Sequence, residues 1–232
     1  MDKKDGCIVL LSGGLDSAVA LYWAINEGYQ VDTLTFDYFR RTKREALACK
    51  EIAKFAGCPN RRVELGFLKE IDDSKQEMKN EALSSVESAY IPSRNLIFYG
   101  IAASFAEVGN SRFIVGGHNK NDAETFPDSS PAFFKKFNDA ASTGRITGTK
   151  TGRVVLPFSK LEKWQVLRLG AGLEVPFELT WSCYKSGKKP CRGCLSCKLR
   201  AKSFQKAGLR DPLLQGEFMN LTNSSLDRLA RV

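Results

Sequence analysis

A short apolar run, Cys7 to Leu11, ends directly in Ser12-Gly13-Gly14, and a helical pattern follows at once, with apolar residues at 18, 19, 21, 22 and 25 before Gly28. Strand, glycine turn and helix in that order constrain the fold more than any other feature of the 232 residues. Two glycines let the backbone curl so that its N–H groups face inward, and the helix amino terminus adds the positive end of its dipole. Ser12 and Ser17 contribute hydroxyls. The Lys-Ser/Thr pair of a Walker A loop is missing, as is the dinucleotide fingerprint. Ser-Gly-Gly alone is a tight turn; between a strand and a helix it becomes a candidate anion cradle.

The alternation continues through the first 175 residues. Residues 31–36, 62–65, 112–115 and 154–156 read as strands, and 16–27, 44–55 and 95–107 as helices, the last three stopped near Gly28, Gly57 and Gly109. Such βα alternation predicts an α/β fold, a parallel sheet with helices on both faces and ligands at the carboxyl ends of its strands. Between Ile71 and Tyr90 the composition turns polar, which reads as an insertion, either a lid over the site or a plain surface loop. After Pro176 the pattern changes to a cysteine cluster, a helix over 197–207 stopped by Gly208, and a tail. The expected division is an α/β domain over 1–175, which carries the candidate anion cradle, and a small carboxyl-terminal module over 176–232 packed on it.

Four of seven cysteines, Cys183, Cys191, Cys194 and Cys197, fall in the pattern C-x7-C-x2-C-x2-C. Four thiolates satisfy a tetrahedral Zn²⁺ with no ligand position left for an activated water, so the site is read as structural. An iron–sulfur cluster or redox thiols are the alternatives. No apolar stretch is long enough for a signal peptide or a membrane span, and clustered thiols suit a reducing compartment, so the expectation is a cytoplasmic protein. The balance of 35 Lys and Arg against 26 Asp and Glu, a net +9, calls for a polyanionic partner without choosing between RNA and a nucleotide triphosphate. No basic stripe interleaved with aromatics favours RNA. With one His, the chain offers no Ser/His/Asp arrangement for nucleophilic catalysis.

Ser12-Gly13-Gly14-Leu15-Asp16-Ser17 after the first strand resembles the signature of the PP-loop ATP pyrophosphatases, which have an adenine nucleotide α-hydrolase-like, Rossmann-like fold. The resemblance narrows with Thr180-Trp181-Ser182-Cys183, Cys191-Arg192-Gly193-Cys194-Leu195-Ser196-Cys197, and Gly208-Leu209-Arg210-Asp211-Pro212. With Phe36-Asp37-Tyr38, Ile91-Pro92-Ser93-Arg94-Asn95, Asp122, Phe126-Pro127-Asp128 and Lys163, the chain is similar over nearly its whole length to the 7-cyano-7-deazaguanine synthases. It departs from them at Phe39-Arg40-Arg41-Thr42, where the family has Gly-Gln-Arg-His, and at Ser129-Ser130, where the family has Cys-Arg.

The resemblance implies an ATP-dependent ligase that adenylates 7-carboxy-7-deazaguanine, forms its amide with ammonia and dehydrates the amide to the nitrile, a step towards queuosine and archaeosine. It implies ATP and Mg²⁺ beside the zinc. ATP would lie along Leu11, Ser12, Gly13, Gly14, Leu15, Asp16, Ser17, Thr35 and Phe36. Asp16 would act near Mg²⁺ and pyrophosphate, with Lys163 and Arg94 steadying the phosphates or the acyl-adenylate. Asn95, Asp122, Phe126 and Asp128 are candidates for holding the heterocycle, and His118, at a strand end, is a secondary one. The partners implied are small molecules, without membrane or direct tRNA binding, in a homodimer. The alternative is a PP-loop enzyme that adenylates another carboxylate or a tRNA base, as in thiolation or lysidine formation.

Overall fold

The computed structural model describes residues 5–77, 90–145 and 150–213. Five parallel strands, β1 (Gly6–Leu10), β2 (Gln30–Asp37), β3 (Asn60–Glu64), β4 (Phe113–Val115) and β5 (Arg153–Val155), form one sheet in the order β3-β2-β1-β4-β5. The chain winds outward from β1 in one direction through β2 and β3, then resumes on the other side at β4. The direction of winding therefore reverses between β1 and β4, and a crevice opens there at the carboxyl ends of the strands.

Strand alternation sorts the core into two layers. Cys7 and Val9 of β1 and Val115 of β4 face α1 (Leu15–Asn26) and α2 (Lys43–Phe55), while Ile8 and Ile114 face the opposite layer. That opposite layer is built by α3 (Leu68–Glu77), α4 (Arg94–Val108) and, after the short α5 (Lys120–Thr125), α6 (Pro131–Thr143). On the first face α7 (Lys163–Gly172) packs against α1, and α8 (Leu195–Ala207) adds Phe204 and Ala207 to the same core. Helix α8 thus shares a hydrophobic core with the sheet.

The strands and helices expected from periodicity are present, with ends displaced by a residue or two as fraying and local turns dictate. The polar stretch after Ile71 differs. Residues 71–77 continue α3, where Asp72 is buried and Arg40 Nη2 donates to both of its carboxylate oxygens, at 2.6 and 2.7 Å. Residues 78–89, on which the lid expectation chiefly falls, lie outside the described residues. Among the described residues, no helix is long and apolar enough to cross a membrane.

Candidate active site

The glycine loop leaves β1 and enters α1 with Gly14 as the N-cap, which supplies no side-chain capping bond. The first N–H groups of α1 therefore keep the anion-binding capacity of an uncapped helix end. Within the loop, Ser12 N donates to Ser17 Oγ at 3.2 Å, Gly14 N to Ser12 Oγ at 3.3 Å, and Ser17 Oγ to Gly14 O at 3.0 Å. Gly13 takes φ +93°, and a Cβ there would lie 2.5 Å from Glu45 O and 3.0 Å from Cys49 N. Only glycine lets the loop pass this close to α2.

Distant segments brace the loop. Trp181 N donates to Gly13 O at 2.8 Å, tying it to the 177–183 segment. Arg41 donates to Phe36 O at 2.8 Å and to Ser12 O at 3.2 Å, joining the ends of β1 and β2. From β4, Gly117 passes so near α1 that a Cβ would stand 2.8 Å from Asp16 O. That approach sets Asn119 beside Asp16, and Asn119 Nδ2 donates to Asp16 Oδ1 at 3.3 Å. Lys163, at the start of α7, donates from Nζ to Asp16 Oδ2 at 2.5 Å. Asp122 lies in the same group as the N3 residue of the α5 capping box, its Oδ2 accepting Asn119 N at 3.0 Å.

Charge in this cluster is uneven. Burial alone would lower the Lys163 ammonium, but the carboxylates of Asp16 and Asp122 outweigh it and hold the group above the ordinary lysine range. Burial, then the Asp16 charge, pushes the Asp122 carboxyl up to about 6, against the opposing pull of Lys163. A carboxyl raised from 3.8 in this way adds stability fully below its unfolded value and loses that contribution as pH rises through about 6. Asp122→Asn, neutral at every pH, is therefore expected to be more stable than the parent at pH 7 by roughly 2 kcal/mol. The gain should vanish below pH ~4; denaturant melts at both pH values decide it, and equal stability at pH 7 contradicts the strained carboxylate.

A cleft of about 1070 Å³ opens over this cluster. Leu11, Ser12, Phe36, Arg94, Asp122, Phe126 and Lys163 line it; Gly13, Gly14, Leu15, Asp16 and Ser17 do not, although Ser17 Oγ lies 3.0 Å from Ser12 Oγ and Asp16 is bonded to Lys163. Phe36 stacks on Phe98 at 4.3 Å, and Arg94 donates to Tyr38 Oη at 3.5 Å, forming an aromatic wall. Thr35, Asn95, His118 and Asp128 are outside the lining. Thr35 faces the α2 layer, where its Oγ1 donates to Leu11 O at 2.8 Å. Asn95 is buried and donates to Asp128 O at 3.2 Å and Ser129 Oγ at 3.1 Å, so it holds the turn that carries Phe126 and Asp128. His118 stacks on Phe134 at 5.5 Å; burial, with Arg94 adding to it, pushes it down to about 4 and keeps it neutral at pH 7.

The sequence departures are absorbed locally. Ser129 takes the Asn95 hydrogen bond, and Ser130 caps α6 by accepting from Phe133 N at 3.2 Å. Sequence reasoning missed Arg41 and Asn119 as braces, although the Asn119-x-x-Asp122 spacing was a readable capping signal.

The sulfurs of Cys183, Cys191, Cys194 and Cys197 lie within 4.8 Å of one another. A tetrahedral ion with Zn–S bonds near 2.3 Å sets its sulfurs ~3.8 Å apart, and Cys191 Sγ stands 4.0 Å from Cys197 Sγ. Backbone N–H groups of Lys185 and Cys191 donate to Cys183 Sγ at 3.4 and 3.3 Å. Those of Cys194 and Gly193 favour the Cys191 thiolate and hold its thiol down at about 6. The donor set fits a single thiophilic metal ion.

Three comparisons bear on this geometry. The family model for queuosine biosynthesis protein QueC matches residues 6–208. A 7-cyano-7-deazaguanine synthase of Thermoplasma acidophilum is 40% identical over 92% of this chain and 92% of its own length. One from Thermoplasma volcanium is 36% identical over 99% of this chain and 98% of its own. An NMN synthetase from Francisella tularensis, only 15% identical, shares the fold at a TM-score of 0.51, over 97% of this chain and 82% of its own. With the phosphate-type loop, the four thiols and the motifs between them all inside the matched span, the chain belongs to the QueC family of queuosine biosynthesis proteins.

Proposed function

We propose that the chain converts 7-carboxy-7-deazaguanine and ammonia to 7-cyano-7-deazaguanine at the expense of ATP. The observation that carries this reading is one cleft joining an uncapped helix amino terminus, the Lys163–Asp16 pair and an aromatic wall, within a chain 40% identical to a 7-cyano-7-deazaguanine synthase.

An acid carboxylate is a poor acceptor for ammonia, so its oxygen first attacks the α-phosphorus and pyrophosphate leaves. Ammonia then displaces AMP to give the amide. A second ATP activates the amide oxygen, and loss of AMP with the remaining amide protons leaves the nitrile. Each oxygen of the acid thus departs on an AMP. No side-chain nucleophile takes part, and the protein acts by position and charge. Ser12, the N–H groups entering α1 and Lys163 hold the phosphates, and Arg94 stands beside the aromatic wall to steady the acyl-adenylate. Bound Mg²⁺ would neutralise phosphate charge, and Asp16, next to the glycine loop, is the carboxylate that would hold it. Phe126 and Asp122 meet the heterocycle, while Thr35, Asn95, His118 and Asp128 position the walls. Zn²⁺ in the four-thiolate site would support the fold around Cys183 to Cys197, the centre of a carboxyl-terminal module that begins after Pro176. The proposed setting is the cytoplasm, on the clustered thiols, and the proposed assembly a homodimer, on the family resemblance.

Purified protein given the acid, ATP, Mg²⁺ and ammonium is expected to consume the acid and release pyrophosphate. Unchanged acid would sink the substrate assignment. Pyrophosphate release with another carboxylate, or with tRNA, would direct the same adenylating site to that substrate instead.

A further inference from the structure

The charge of this chain is concentrated in one place. Residues 179–210 hold nine Lys and Arg and no Asp or Glu, so the rest of the chain balances at 26 cations and 26 carboxylates. The whole +9 belongs to this segment, and four thiolates around a divalent cation remove only two of those charges. Eight of the nine are exposed; Arg200 alone is buried.

The segment also supplies a wall of the cleft. Leu195, Leu199, Lys202 and Lys206 follow the spacing of one face of α8, and with Tyr184 they line the cavity that contains Ser12 and Lys163. Tyr184, Leu195 and Leu199 are about half exposed, at 57, 49 and 47%. The cleft lining as a whole carries Arg40, Arg41, Arg94, Lys163, Lys202 and Lys206 against Glu45, Asp122 and Glu162, and such an excess of one sign beside apolar walls raises the local concentration of an oppositely charged ligand. Lys206 is paired with Glu162, which leaves the field to the lysines around it.

We propose that the carboxyl-terminal module is an electrostatic collector for the nucleotide, drawing the magnesium–triphosphate into the cleft. This rests on the ATP reading above and adds a function for the module beyond metal binding.

Stopped-flow association of a fluorescent ATP analogue with Mg²⁺, from 20 to 300 mM KCl, tests it. The association rate constant is expected to fall ~10-fold across that range. Replacing Lys185, Lys188, Lys189 and Lys198 by Gln should lower the rate several-fold at low salt and flatten its salt dependence. The same number of exposed lysines replaced elsewhere, Lys50, Lys54, Lys69 and Lys135, should change it little. A salt-independent rate, or two variants that behave alike, overturns the proposal. Loss of tRNA retention in the module variant with unaltered nucleotide association overturns it in favour of an RNA surface. No binding at any salt would remove the nucleotide reading itself.

Discussion

Stripping the metal from Cys183, Cys191, Cys194 and Cys197 is expected to lower the thermal midpoint by more than about 10 °C and to weaken nucleotide binding with it. Structural four-thiolate sites bind zinc with apparent free energies on the order of 10 kcal/mol, and that energy is folding energy. Here the buried Cys183 and Cys197 pack with Trp181 and Ala48 in a small core of their own, so without a metal four sulfurs within 4.8 Å of one another face each other uncompensated. The consequence reaches the Ser12–Ser17 loop because Trp181 N donates to Gly13 O at 2.8 Å and its indole Nε1 donates to Cys183 O at 2.9 Å. Treatment with a chelator that competes for thiolates, followed by metal analysis, a thermal melt and nucleotide titration, checks this. A protein free of metal with an unchanged melt would show that the site contributes nothing to the fold.

The parts of this site that were readable in the sequence are those whose signal is local. The Ser12–Ser17 loop announces itself because the strand before it and the helix after it carry their own periodicities, and the four cysteines sit within fifteen residues. Contacts across the chain leave no such trace. Asp16 and Lys163 are 147 positions apart, and Asn119 reaches Asp16 across 103. Strand register decides Thr35, because alternation along β2 sends its side chain to the α2 layer while Phe36 faces the cleft. Two helices were illegible for tertiary reasons. α7 contains Gly170, which breaks a helical reading yet is required where a Cβ would come within 2.6 Å of Val19 and 2.8 Å of Phe177. α6 carries Phe133, Phe134 and Phe137, a cluster as strand-like as it is helical, and packing against α4 resolves it.

Removing the side chain of Arg200 or of Asp211 alone is expected to cost about 3–5 kcal/mol, because either change leaves a buried charge without its partner. Both side chains are 3% exposed, and two hydrogen bonds of 2.8 and 2.9 Å join them. The guanidinium has further work: it donates to Thr180 Oγ1 at 2.8 Å and to Phe177 O at 3.1 Å, so it fixes the segment that delivers Trp181 to Gly13. The paired change Arg200→Met with Asp211→Leu removes both charges and should recover much of the stability, since replacing a buried ion pair by apolar residues is often close to neutral. It cannot restore the bonds to Phe177 and Thr180. The double variant is therefore expected to melt near the parent while its KM for ATP stays raised several-fold, and Arg200→Lys should fall between. Denaturant melts and ATP titrations on the four variants separate the two effects. If KM returns to the parent value together with stability, the Arg200 network is a matter of folding alone, and the loop is held by Trp181 without it.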